Sequence, residues 1–304
     1  MKYTVTFYAL LQLVARLAQS AYNDDFDQYS GKVLYSSQLN EISKPLFYIY
    51  QQDDALFVAI RGSSSSDDWA TDAMITETKL KDSTFFHKGF YDAAVYVFET
   101  VKEYTKGFTG PVYFTGHSYG ASVSQIMHYL QHKEDPSVNV TSFAFAPAPA
   151  MNLAADDDIR EQMYSFVNDD DMIPTLSVPN CYKRFTFLFP TLHDYPSDVI
   201  ISRVNTLLKI ISFTSLLDQG TFNMVWNAVP VIVVAAKEYE MGLPKYVRYI
   251  AGTAYRFQIG KPKTLSKAKI NQEIFLDTLS ISLSCITDHS VSNYVTIVDE
   301  IIEE

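Results

Sequence analysis

PVYFTGHSYGAS, residues 111–122, reads as a strand that ends in Gly116-His117-Ser118-Tyr119-Gly120 and turns directly into a helix. A serine with a glycine two residues to either side, strand before and helix after, has the marks of a nucleophile elbow. In such a turn the backbone at the serine is strained, and a side chain at either glycine would strike the neighbouring strand or helix. The geometry lifts the Ser118 hydroxyl out of the sheet, beside a helix N-terminus whose amides favour developing negative charge. Taken alone, the pentapeptide also fits a glycine-rich turn that happens to hold a serine; the strand-to-helix context favours the elbow.

Working outward, short β-rich runs alternate with helical stretches. The runs are LFYIYQQ (46–52), ALFVAIR (55–61), VTSFAFA (140–146), MYSFVN (163–168) and YKRFTFLF (182–189), with helices near 90–106, 120–133 and 156–162. Several runs are almost continuously apolar, as strands covered on both faces are. The alternation predicts an α/β fold: a mostly parallel central sheet flanked by helices, mixed at its N-terminal edge where the first two runs are close enough to form a hairpin. Residues 190–244 are apolar and helical in pattern, without strand punctuation. They read as a helical insertion, or cap, before the last part of the sheet, within a single domain spanning 1–304. Strand-like text returns at 246–260, and a last helix is expected from about 289 to 302.

Composition limits the function classes. Of the 304 residues, 47% are apolar and 19% charged, which excludes disorder and low-complexity behaviour. Twenty-four basic against 35 acidic residues leave a net charge of −11 with no basic tract, so a nucleic-acid partner is excluded. Cys181 and Cys285 have no metal-ligand spacing and read as reduced thiols. The N-terminal stretch resembles a signal peptide, with AQSA at 18–21 as a cleavage site, but Gln12 and Arg16 interrupt it. Tyr8, Leu11, Ala15 and Ala18 recur at helical spacing and favour a retained amphipathic helix. A cytoplasmic protein, with peripheral membrane contact as an option, is expected over a secreted one. The greasiest run, AVPVIVVAA at 228–236, is too short to span a bilayer. The sequon Asn139-Val140-Thr141 reads as part of a buried strand.

A serine nucleophile needs a base, and the base an orienting carboxylate, in the chain order Ser, Asp, His for this fold. Asp156, Asp157 and Asp158 read as a solvated helix start. Asp169, Asp170 and Asp171 follow the strand MYSFVN and are better placed, because functional groups of open α/β sheets sit at the carboxyl ends of strands. Of six histidines, His117 lies inside the elbow, and His87 precedes it and breaks the chain order. His128 and His132 form an i, i+4 pair without a third ligand, which reads as surface or core. His193 lies in the insertion; His289, in the loop before the last helix, is favoured as the base. An oxyanion hole needs two amides: one from Tyr119, after the nucleophile, and one from the loop after ALFVAIR, where Ser63 could also give its hydroxyl. The four serines there equally fit a flexible loop.

Assembled, these residues resemble the class 3 lipases of the α/β-hydrolase fold. RGSSSSDDWATD (61–72) is similar to that family's oxyanion loop running into a lid. FFHKGFYDAA (85–94) is similar to its His-x-Gly-Phe block, FTGHSYGAS (114–122) to its elbow, and FVNDDDMIP (166–174) to its Asn-x-x-Asp-x-Val-Pro. Asp288-His289 followed by Tyr294 resembles the family's closing block. The resemblance covers about 10–180 and 244–304. It implies Ser118, Asp171 and His289 as catalytic residues, Ser63 and Tyr119 as the oxyanion hole, Trp69 and Met74 in a lid, and His87 as structural. It further implies a serine ester hydrolase that cleaves acylglycerol or related lipid esters through an acyl-enzyme, with no metal or cofactor. Tyr119 where leucine is usual, and Ala121 where glycine is common, imply a narrower or more polar acyl pocket. Asp67 and Asp68 in the lid imply a preference for soluble or short-chain esters. Two other readings keep the fold: a catalytically silent scaffold, and a lipid-binding module in which 200–236 docks on a membrane.

Overall fold

In the computed structural model, the structure describes residues 5–38, 41, 43–62, 77–79, 84–152, 158–214, 219–242, 247–258, 261, 263–272 and 287–301. A seven-stranded sheet in the order β1-β2-β3-β6-β7-β9-β10 forms the centre. Its strands are β1 (Lys32–Ser36), β2 (Phe47–Gln52), β3 (Ala55–Ile60), β6 (Val112–His117), β7 (Val140–Phe145), β9 (Met163–Asn168) and β10 (Thr253–Phe257). From β3 to β10 every neighbouring pair is parallel, whereas β1, β2 and β3 pair antiparallel. The expected hairpin is the β2–β3 pair. A second, antiparallel sheet joins β4 (Glu77–Lys79), β5 (Phe85–His87) and β8 (Met151–Asn152).

Side-chain alternation explains why the central strands look uniformly apolar. In β3, Leu56, Val58 and Ile60 join one buried cluster while Ala55, Phe57 and Ala59 join the other, on the opposite face. The first face is covered by α2 (Lys88–Thr105) and α3 (Tyr119–Glu134). The second is covered by α1 (Val5–Asn23) and α8 (Val291–Asp299), which pack on each other. In α1 the residues Leu11, Val14, Ala15, Leu17, Ala18 and Ala21 are buried, and Arg16 on the opposite side pairs with Asp299 of α8.

Three expectations change. YKRFTFLF is not a strand: α4 runs Val178–Phe185, with Ser177 as its N-cap accepting from the Asn180 amide and Pro179 in its first turn. Phe185 and Phe189, four apart, are buried, whereas Phe187 is 86% exposed, so the aromatic alternation that mimics a strand is a helix end running into a turn. Asp158–Gln162 forms a 3₁₀ turn, and residues 153–157 lie outside the described residues. Asn139 is exposed, one residue ahead of β7. The 190–244 stretch holds two long helices, α5 (Ser197–Thr214) and α6 (Gln219–Glu240), before α7 (Leu265–Ala268). Among the described residues no helix is long and apolar enough to cross a membrane.

Candidate active site

Between β6 and α3 the backbone turns at Ser118, with φ 58° and ψ −123°. A residue with a Cβ is strained there by about 1–3 kcal/mol. The turn is held by its surroundings: the Ser118 amide donates to the Phe145 carbonyl at 2.8 Å, and the Ser118 carbonyl accepts from the amides of Ala121 and Ser122 at 3.0 and 3.2 Å. The glycines permit the close approach. A Cβ on Gly116 would lie 2.4 Å from the Gly120 carbonyl carbon, and one on Gly120 would lie 2.1 Å from the Ile60 carbonyl oxygen at the end of β3. Gly120→Ala is therefore expected to destabilise the fold by about 1–3 kcal/mol, as overpacking does. A urea midpoint unchanged from wild type would show that β3 gives way without cost.

Ser118 meets a hydrogen-bonded line of side chains. His289 Nε2 lies 2.9 Å from Ser118 Oγ, and His289 Nδ1 lies 3.0 Å from Asp171 Oδ2. Asp171 is wholly buried, and its other bonds come from the Tyr294 hydroxyl at 2.6 Å to Oδ2 and the Ile173 amide at 2.9 Å to Oδ1. The carboxylate thus gathers Tyr294, Ile173 and His289 around it. With Nδ1 donating to the carboxylate, His289 Nε2 is left to accept from the serine hydroxyl. Burial, and then the charge of Asp171, push the Tyr294 phenol well above its usual range, so it remains a donor.

The neighbouring aspartates do other work. Arg256 of β10 donates from Nε to the Asp169 carbonyl at 2.6 Å and from its guanidinium to the Asp170 carboxylate, and lies 3.7 Å from the Asp169 carboxylate. The segments carrying acid and base are also stitched together. Asn168 Nδ2 donates to the Asp288 carbonyl at 2.8 Å, and the Asn168 amide donates to the Tyr294 hydroxyl at 3.0 Å.

His117, inside the elbow, supports the base from behind. Its Nε2 lies 2.7 Å from the His289 carbonyl oxygen and its Nδ1 2.9 Å from the Tyr22 hydroxyl at the end of α1. Burial, and then the nearby His289, hold its pKa well below the usual value, so the ring is neutral. Because a carbonyl only accepts, Nε2 carries the proton and Tyr22 donates to Nδ1. The Gly62 amide bonds in turn to Tyr22, so a continuous line runs from Gly62, two residues past β3, to the backbone of His289. Sequence reasoning passed over Tyr22 and Arg256; only their proximity in space reveals them.

The remaining histidines sit elsewhere. His193 Nδ1 lies 2.7 Å from Glu240 at the end of α6. His128 is buried with Nδ1 3.1 Å from Ser142 Oγ, and burial pushes its pKa down to about 3. His87 is buried at the end of β5 and pushed down to about 4 for the same reason. Among the described residues no group of three or more His, Cys, Asp or Glu could hold a metal ion. The Tyr119 amide opens α3 beside Ser118. Its ring is buried 5.3 Å from that of Phe90 on α2, so the tyrosine that replaces leucine packs between helices. Ser63, Trp69 and Met74 lie outside the described residues.

No curated protein matches the chain. Among solved structures, a triacylglycerol lipase described as having a serine protease triad at its catalytic centre is 20% identical, over 57% of this chain and 75% of that one, with a TM-score of 0.49. The lipase of Rhizopus microsporus var. chinensis is 19% identical over 57% of this chain and 70% of its own, with a TM-score of 0.49. Lipase II from Rhizopus niveus is 19% identical over 57% and 76%, with a TM-score of 0.48. The family model "Lipase (class 3)" matches residues 57–181. From β3 through the elbow to the aspartate turn, the stretch that holds Ser118 and Asp171, the chain is thus similar to the class 3 lipases, as its sequence blocks imply.

Proposed function

We propose that the protein is a serine ester hydrolase that cleaves acylglycerol or related lipid esters through an acyl-enzyme, with Ser118 as nucleophile, His289 as general base and Asp171 as the acid that orients it. The observation that carries this reading is the unbroken hydrogen-bonded line from Ser118 through His289 to Asp171, across 171 and 118 residues of sequence. His289 Nε2 takes the hydroxyl proton as Ser118 Oγ bonds to the ester carbonyl carbon. Asp171 stabilises the imidazolium so formed. The oxyanion is met by the Tyr119 amide and by Ser63. Collapse breaks the carbon–oxygen bond to the alcohol, which leaves with the proton from His289. Water, deprotonated by His289, then releases the acid and restores Ser118. In the same reading the chain is one domain, 190–244 is a helical insertion or cap within it, Trp69 and Met74 belong to a lid, and the protein works in the cytoplasm.

The test is hydrolysis of p-nitrophenyl esters from short to long acyl chains, with and without detergent, together with fluorophosphonate labelling mapped by peptide mass spectrometry. Ester turnover with the label on Ser118 is expected. Label on another serine overturns the assignment, and no turnover with no label replaces it with a silent scaffold. Tyr22→Phe probes the line behind the base. Loss of one buried donor is expected to lower kcat by about tenfold with KM little changed. An unaltered kcat would make Tyr22 a packing residue only.

A further inference from the structure

We propose that the Phe187–Leu188 turn and the adjoining outer face of α5 dock on an anionic lipid bilayer. The purpose of such docking rests on the ester-hydrolase reading above; the surface itself does not. Among the described residues the exposed large apolar side chains are Phe187, Leu188, Leu207, Ile210, Val234 and Met241, all within one stretch of 55 residues that includes α5 and α6. Scattered exposed apolar residues need no explanation, but confinement to one segment marks a surface.

The pieces adjoin. Phe189, directly after the exposed turn, holds its ring 5.3 Å from the Arg203 guanidinium of α5. Leu207 and Ile210 follow Arg203 four and seven residues on, the spacing of one helix face. Val204 and Leu208 on the other side pack on the core. Phe187 is 86% exposed and Ile210 56%, so this face presents an aromatic tip and an aliphatic flank to the outside.

Charge selects the occupant. The whole chain carries −11, yet residues 178–214 hold Lys183, Arg184, Arg203 and Lys209 against only Asp194 and Asp198. A cationic surface with protruding aromatic and aliphatic groups suits a bilayer with anionic headgroups: the side chains enter the headgroup boundary while the cations meet phosphate and carboxylate. Lys209, next to Ile210 in the chain, is exposed and sits 5.0 Å from the Trp226 ring of α6.

The test is flotation of the full chain with vesicles of phosphatidylcholine alone and with about 30% phosphatidylserine. Binding to the anionic vesicles only, weakened as salt approaches ~1 M, is expected. Phe187→Ser with Leu188→Ser should weaken binding about tenfold, the scale of returning one large apolar side chain to water. Arg203→Glu with Lys209→Glu should remove the preference for anionic lipid. Neither pair should change turnover of a soluble p-nitrophenyl ester. No binding, equal binding to both vesicles, or binding undiminished in both variants overturns the proposal. So does a wild-type dimer in size-exclusion chromatography that Phe187→Ser dissociates, which would assign the face to a second copy. A chain that hydrolyses no ester yet floats with anionic vesicles sinks the hydrolase reading and leaves this one standing.

Discussion

Ser118→Ala is expected to lower kcat on any ester substrate by on the order of 10⁴- to 10⁶-fold, because it removes the hydroxyl that lies 2.9 Å from His289 Nε2. The same change should barely alter folding. Alanine has the same Cβ as serine, so it meets the φ 58° turn with the same strain, and only one hydrogen bond is lost. An inactive variant with a near wild-type unfolding midpoint is the signature to look for. A residual rate within tenfold of wild type would mean that the chemistry runs through another group.

His289→Ala is expected to cost a similar factor, for a different reason. The nucleophile would remain but could no longer lose its proton, and the Asp171 carboxylate would keep only the Tyr294 hydroxyl and the Ile173 amide in a wholly buried setting. This variant should therefore also lose stability, by about 1–3 kcal/mol for the buried carboxyl group left short of a partner. His193→Ala, which touches Glu240 on α6 and neither Ser118 nor Asp171, is the control. Wild-type rates are expected of it; a collapse there with His289→Ala still active would move the base into the 190–244 stretch.

Local patterns in the sequence were legible where one physical rule dominates. Gly116, Ser118 and Gly120 obey a steric rule that acts within five residues, and the parallel strands reveal themselves because burial on both faces forces continuous apolar runs. YKRFTFLF was misread because Phe185, Phe187 and Phe189 satisfy a period of two while Ser177 and Pro179, outside the window, start a helix. Strand position left Asp169, Asp170 and Asp171 open, and the resemblance alone singled out Asp171. In space Asp171 lies beside His289 Nδ1, whereas the Asp169 carbonyl and the Asp170 carboxylate accept from Arg256 on a strand some 86 residues away. The role of His117 was hidden for the same reason. A neighbour in sequence cannot bond to Ser118, but its ring reaches the backbone of a residue 172 positions on.

Those separations bear on the order in which the molecule is made ready. The contacts that bring His289 to Ser118, and Asn168 to Asp288, span more than a hundred residues each, so closing them costs more chain entropy than the local contacts of the elbow. The elbow itself needs only β6, α3 and the adjacent strands. In refolding, the strained serine is therefore expected to be set in place by nearby structure before its base arrives with the long-range closure. The protein can thus be well advanced in sheet formation and still catalytically mute, and regain of ester turnover would date the final docking of the 287–301 segment.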